Sequence, residues 1–97
     1  MRTLIKVNVP VEAGNKAIQD GTMQRLIGEM QDRLRPEASY FFSDHGIRTA
    51  LYVADLKDPS EIPVIAEPFF IHFNASVEFT PVMNIDDLKK AFSQIAK

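Results

Sequence analysis

Residues 69–79 read FFIHFNASVEF, and their reading decides the fold. Phe69, Ile71, Phe73, Ala75, Val77 and Phe79 form one row, and Phe70, His72, Asn74, Ser76 and Glu78 form the other. A period of two is the pattern of a half-buried strand, with the first row as its core side. The stretch is therefore predicted to be the last strand of a sheet. The second row then needs something opposite it: water, a partner or a pocket.

Two prolines bound this stretch, Pro68 before it and Pro81 behind it. Upstream, Asp58-Pro59-Ser60-Glu61 carries helix-opening residues and predicts a short helix through Ile62, Val64 and Ile65, closed by Pro68. Downstream, Asn84 opens a helix with Asp86 and Asp87 in its first turn and Ile85, Leu88, Phe92 and Ile95 as its apolar stripe. Residues 38–43 and 47–54 are two β-rich runs joined by Asp44-His45-Gly46, a hairpin turn with a glycine for positive φ. At the other end, Thr3, Ile5, Val7 and Val9 alternate with Leu4, Lys6 and Asn8, and Pro10 stops that strand. Between them, Met23, Leu26, Ile27, Met30 and Leu34 fall on one helix face. The preceding segment, EAGNKAIQDG, admits two readings: the first part of that helix, starting near Asn15 and tolerating exposed glycines, or a flexible entry segment acting as a lid.

The order is β-α-β-β-α-β with an extra C-terminal helix, a ferredoxin-like α+β fold in a single domain spanning 1–97. In that topology both crossover helices lie on one sheet face. The rows Thr3/Ile5/Val7/Val9, Ile47/Thr49/Leu51/Val53 and Ile71/Phe73/Ala75/Val77 are predicted to pack beneath them. The open face then carries Leu4/Lys6/Asn8, Arg48/Ala50/Tyr52/Ala54 and His72/Asn74/Ser76/Glu78, with either Tyr40 and Phe42 or Phe41 from the second strand, according to register. Aromatic and aliphatic side chains together on an open face mark an interface or a binding site. The expectation is a homodimer whose two sheets face each other across a chamber.

Composition narrows the function classes. With 97 residues there is room for one core. A net charge of −2 leaves no basic surface for nucleic acid or for a polybasic membrane contact. With no cysteine, disulfides, thiolate metal sites and a cysteine nucleophile are excluded. No run approaches the length of about 20 apolar residues that spans a bilayer, and the N-terminus has no signal-peptide pattern, so a cytoplasmic location is expected.

His72 is the stronger of the two histidines as a general base, because imidazole titrates near neutrality; His45 reads as a solvated turn residue. Asn74 could donate to, or accept from, a ligand carbonyl or hydroxyl. Asn8, Tyr40 and Tyr52 would line the chamber. Arg48 reads as a ligand contact or, with Lys6, as a cross-sheet partner of Glu78. Glu67, beside Pro68 at a helix end where the dipole opposes a carboxylate, is either held by a cation or serves a site. Metal-ligand spacings of the HxH or HExxH kind are missing, and so are nucleophile-elbow, dinucleotide and P-loop patterns. No metal and no cofactor is expected.

The stretches GNKAIQDG, PEASYFF, GIRTALYVAD and EPFFIHFNASVEFTPVMNIDDLKKA resemble a group of short, uncharacterised bacterial proteins. The element order also resembles the dimeric α+β barrel superfamily, which includes cofactor-free monooxygenases, haem-degrading enzymes, isomerases and pure binding proteins. Asn8 resembles the asparagine that haem-degrading barrels place near the end of strand one, but the tryptophan those enzymes need is missing. The resemblance implies a homodimer that binds a small apolar organic molecule between facing sheets. If there is turnover, His72 or Asn74 would move a proton or stabilise an enolate. The alternative is a non-catalytic interaction or structural module that uses the open face.

Overall fold

The structure, a computed structural model, describes residues 1–96. Its elements are β1 (Arg2–Val9), α1 (Val11–Gln19), α2 (Thr22–Leu34), β2 (Ala38–Asp44), β3 (Ile47–Asp55), α3 (Glu61–Phe73), β4 (Ser76–Pro81) and α4 (Ile85–Ile95). The four strands form one sheet in the order β2-β3-β1-β4, and every neighbouring pair is antiparallel. The chain is thus an α+β fold with four helices and a four-stranded antiparallel sheet. No helix among the described residues is long and apolar enough to cross a membrane.

The row Thr3/Ile5/Val7/Val9 of β1 is buried against α1, α2 and α3, as its alternation predicts. Leu26 and Met30 of α2 and Ile65, Phe69 and Phe73 of α3 complete that core. Phe69 and Phe73 are fully buried, with ring centroids 6.1 Å apart. Truncating either to alanine would cost roughly 3–5 kcal/mol. The hairpin between β2 and β3 turns where the sequence predicts it. His45 and Gly46 both take positive φ, 53° and 78°, as a two-residue turn matched to strand twist requires.

The stretch 69–79 is not one strand. Its first half is the end of α3, and β4 begins only at Ser76. Ile65, Phe69 and Phe73 recur every fourth residue and are all buried, whereas Ile71, a core residue in the strand reading, is 71% exposed. The alternation of 69, 71 and 73 therefore masks a helical stripe. Pro63 sits in the first turn of α3, where its missing N–H costs nothing. Pro68 lies inside the helix and forfeits one backbone bond; burial of the flanking Ile65, Ala66 and Phe69 offsets that loss. The helix stops at Asn74, which takes the left-handed conformation (φ 51°, ψ 31°). From there the Asn74 and Ala75 N–H groups donate back to the Phe70 and Phe69 carbonyls, at 3.0 and 3.3 Å.

Strand β3 is turned over relative to its predicted orientation. Ile5 pairs with Tyr52, Val7 with Ala50 and Val9 with Arg48, so Arg48/Ala50/Tyr52/Ala54 lie on the helix side. Ile47/Thr49/Leu51/Val53 lie on the open side. Both rows of IRTALYVA are apolar enough to be cores, so alternation alone cannot choose between them. Register with β1 makes the choice, because a one-residue shift exchanges the faces. The same pairing places Tyr40 and Phe42 on the open face and Phe41 on the helix face.

The long first helix is two. α1 starts directly after Pro10, and Asp20-Gly21 breaks the chain, with Gly21 at φ 83°. The element order is therefore β-α-α-β-β-α-β-α. EAGNKAIQDG is mostly helix α1, with Gly14 and Ala17 buried.

Candidate functional site

A cavity of about 530 Å³ lies between the sheet and the helices, toward the β2 edge. Val7 and Val9 of β1 and Ala50 of β3 form its floor, and Met23 and Ile27 of α2 with Phe69 and Phe73 of α3 form its walls. Phe41 of β2, which is 55% exposed, stands at its rim. The cavity exists because Ala50, between Val7 and Phe41 in the same row, leaves space that a larger side chain would fill. Its volume is in the range of small-molecule sites.

Among the described residues, Arg48 is the one charged side chain lining this cavity. It is half-buried, and α1 holds it from the side. Nη2 donates to Asn15 Oδ1 at 2.9 Å, and Nη1 donates to the Val11 carbonyl at 3.4 Å. Gly14 permits this approach: a Cβ there would come within 2.6 Å of Arg48 Nη1. Both acceptors are neutral. Among the described residues no carboxylate pairs with Arg48, unlike Arg2, Lys6 and Arg25, which all have one.

The open face carries a second constellation. Lys6 Nζ lies 2.8 Å from Asp44 Oδ2. Asn8 Nδ2 donates to Thr49 Oγ1 at 2.8 Å and reaches Asp44 Oδ2 at 3.4 Å. Thr49 Oγ1 in turn donates to the Ile47 carbonyl at 3.0 Å. The hydrogen bond and charge of Asp44 hold the Lys6 ammonium above its ordinary pKa. The Lys6 hydrogen bond holds the Asp44 carboxyl below its own. The close ion pair of Lys6 is thus with Asp44, the charge of Glu78, opposite it on β4, adds a smaller raising effect, and Arg48, on the other face, takes no part. The cluster satisfies itself. Around it lie Tyr40 and Phe42, 64% and 44% exposed.

The seven residues that the sequence proposes as a site are spread over the molecule. Asn8 and Tyr40 are on the open face, Arg48 is in the cavity, and Glu67 is exposed on α3. His72 and Asn74 line a shallow polar groove between α1 and the end of α3, because residues 69–73 are helix. Tyr52 is fully buried, and its hydroxyl has no hydrogen-bond partner. Burial pushes its pKa up to about 12. The residues that sequence reasoning missed are Ala50, Gly14 and Asn15. The only local signal was a glycine-asparagine pair inside α1, which does not show that an arginine 33 positions away reaches it.

No protein-family model matches the chain, and no curated protein matches it either.

Proposed function

We propose that this chain binds a small, largely apolar organic molecule bearing an anionic group. The apolar part sits between Val7, Ala50, Met23 and Phe69, and the anion meets Arg48. The observation that carries the reading is a guanidinium without a carboxylate partner among the described residues, fixed by neutral acceptors at an apolar cavity. A planar guanidinium suits a carboxylate, which it can engage through two parallel bonds. Among the described residues, the cavity lining that meets Arg48 is otherwise apolar or uncharged, which supports binding at this cavity, and His72 and Asn74 lie in a separate groove.

The strand order β2-β3-β1-β4, with helices on one face, also supports the ferredoxin-like reading with a doubled first crossover, and with it a homodimer formed through the open face. The exposed Tyr40 and Phe42 favour that second element.

The ligand reading is tested by calorimetry with phenylbutyrate and phenylbutanol, which share an apolar body and differ in charge. The acid is expected to bind at least about tenfold tighter, the worth of one charge-assisted contact. Arg48→Gln should remove that difference. Equal affinity for the two compounds, or an unchanged preference in the variant, would overturn the reading.

A further inference from the structure

Strand β2 is an unprotected sheet edge. It is the outer strand of the order β2-β3-β1-β4, and among the described residues β3 is the only strand it pairs with. An exposed edge is a template for another strand, and proteins blunt such edges with charges, prolines or bulges. The opposite edge, β4, has Glu78 in its middle and Pro81 at its end. Residues 39–43 of β2 read SYFFS, with no charge, proline or glycine. Tyr40, Phe41 and Phe42 are all exposed.

Two features of this edge suit a second copy of itself. The first is backbone phase. The His45-Gly46 turn has two residues, so the flanking Asp44 and Ile47 exchange hydrogen bonds with each other, and along the strand the direction alternates from there. Tyr40 and Phe42 therefore direct their N–H and C=O groups to β3, whereas Ser39, Phe41 and Ser43 direct theirs outward. The second is sequence. Phe41 is the midpoint of β2 (Ala38–Asp44), with an aromatic on either side and a serine beyond each. A twofold axis demands a self-complementary surface, and antiparallel pairing about Phe41 supplies one. Phe41 then faces the partner's Phe41, Tyr40 faces the partner's Phe42, and Ser39 faces the partner's Ser43. Each outward-facing pair exchanges two backbone bonds, and the aromatic pairs add to them. Asp44 meets Ala38, so no carboxylate faces another. A shift of one residue would set outward-facing groups against inward-facing ones.

We infer that β2 pairs antiparallel with β2 of a second copy about Phe41, and that the partner's Phe41 thereby joins the rim of each cavity. Phe41 lies on the helix face and stands at the cavity rim, on the side that opens toward this edge. The twofold axis is normal to the sheet, so both sets of helices lie on one side and the two Phe41 residues adjoin, with Cα atoms about 5.5 Å apart. Each cavity is then walled on its open side by a residue of the other copy. The cavity part rests on the ligand reading above. The contact itself uses a strand edge and leaves the open sheet face free.

The test combines light scattering after size exclusion with amide hydrogen exchange by NMR, on the full chain over a concentration series. The wild type is expected to be a dimer whose Phe41 and Ser43 amides are protected, although both point out of their own sheet. Ser39→Pro removes an outward N–H and keeps the β2–β3 ladder, with circular dichroism to confirm folding. By symmetry the dimer loses that donor twice, so its dissociation constant should rise at least about tenfold. The Phe41 and Ser43 amides should then lose protection. Phenylbutyrate affinity should also fall several-fold, although Ser39 does not line the cavity. A monomeric wild type, or a dimer in which those two amides exchange freely, overturns the pairing and leaves the ligand reading standing. Unchanged phenylbutyrate affinity in a monomeric variant overturns the shared rim. Equal binding of phenylbutyrate and phenylbutanol by a wild type with protected amides overturns the ligand reading and supports the pairing.

Discussion

Phe41 meets Tyr52 edge-on, with ring centroids 6.0 Å apart and ring planes at 87°. One ring stands at the cavity rim and the other is fully buried beside it, so the wall of the cavity is continuous with the core. The Tyr52 hydroxyl has no partner in that core, and an unpaired buried hydroxyl is a cost that Phe would not carry.

Tyr52→Phe is therefore expected to stabilise the fold by about 1 kcal/mol, read by chemical denaturation at neutral pH. The pH dependence follows from the raised pKa of about 12. Between the ordinary phenol pKa near 10 and that value, the unfolded chain releases the proton and the folded chain keeps it. Stability contributed by Tyr52 is thus present below about pH 10 and lost as pH rises through the folded value. The variant should show a flatter alkaline limb. An identical alkaline limb in both proteins would refute the assignment.

Gly14→Ala separates stability from binding. The new Cβ would displace the Arg48 guanidinium, which can move because it is the end of a flexible side chain. Alanine's helix preference offsets part of the disturbance, so stability should change by less than about 1 kcal/mol. Phenylbutyrate affinity should nonetheless fall several-fold by calorimetry. Gly28 has open space around its Cβ position, so Gly28→Ala should stabilise α2 by about 0.5–1 kcal/mol and leave affinity unchanged. Loss of affinity in both variants would point to something other than Arg48 placement.

Asn74 closes α3 in the left-handed conformation. Asn74→Ala should lose about 1–2 kcal/mol, whereas Asn74→Gly should be close to neutral. If glycine proved as damaging as alanine, the side chain would be doing more than tolerating that backbone. His72→Ala, at an exposed position one turn from the cavity-lining Phe69, should leave phenylbutyrate affinity unaltered.

Asp44 carries the acid response of the open face. Its carboxyl is held low, first by the Lys6 hydrogen bond. Its contribution is present above the ordinary carboxylate range and lost as pH falls through the depressed folded value. Asp44→Asn should flatten the acid limb of a stability profile as pH falls below the ordinary carboxylate range. An unchanged acid limb would mean that the Lys6–Asp44 pair is not maintained in solution.

Much of the architecture was legible locally. The β1 alternation, the α2 stripe, the His45-Gly46 turn and the Asn84 cap each rest on residues a few positions apart, and short-range sterics and periodicity settle such features. Three things were not local. Phe69, Ile71 and Phe73 satisfy a strand period as well as Ile65, Phe69 and Phe73 satisfy a helical one, and only burial against β1 and α2 favours the helix. Both rows of β3 are apolar, and only pairing with β1 decides which row faces the helices. The cavity needs Ala50, Phe69 and Arg48 brought together from separate elements. Composition and periodicity determined most element types and the α+β class, because those depend on near neighbours. Tertiary packing decided the β3 register, the helical end of α3 and the placement of Arg48, because each is a contest between local patterns of nearly equal merit that long-range burial alone can break.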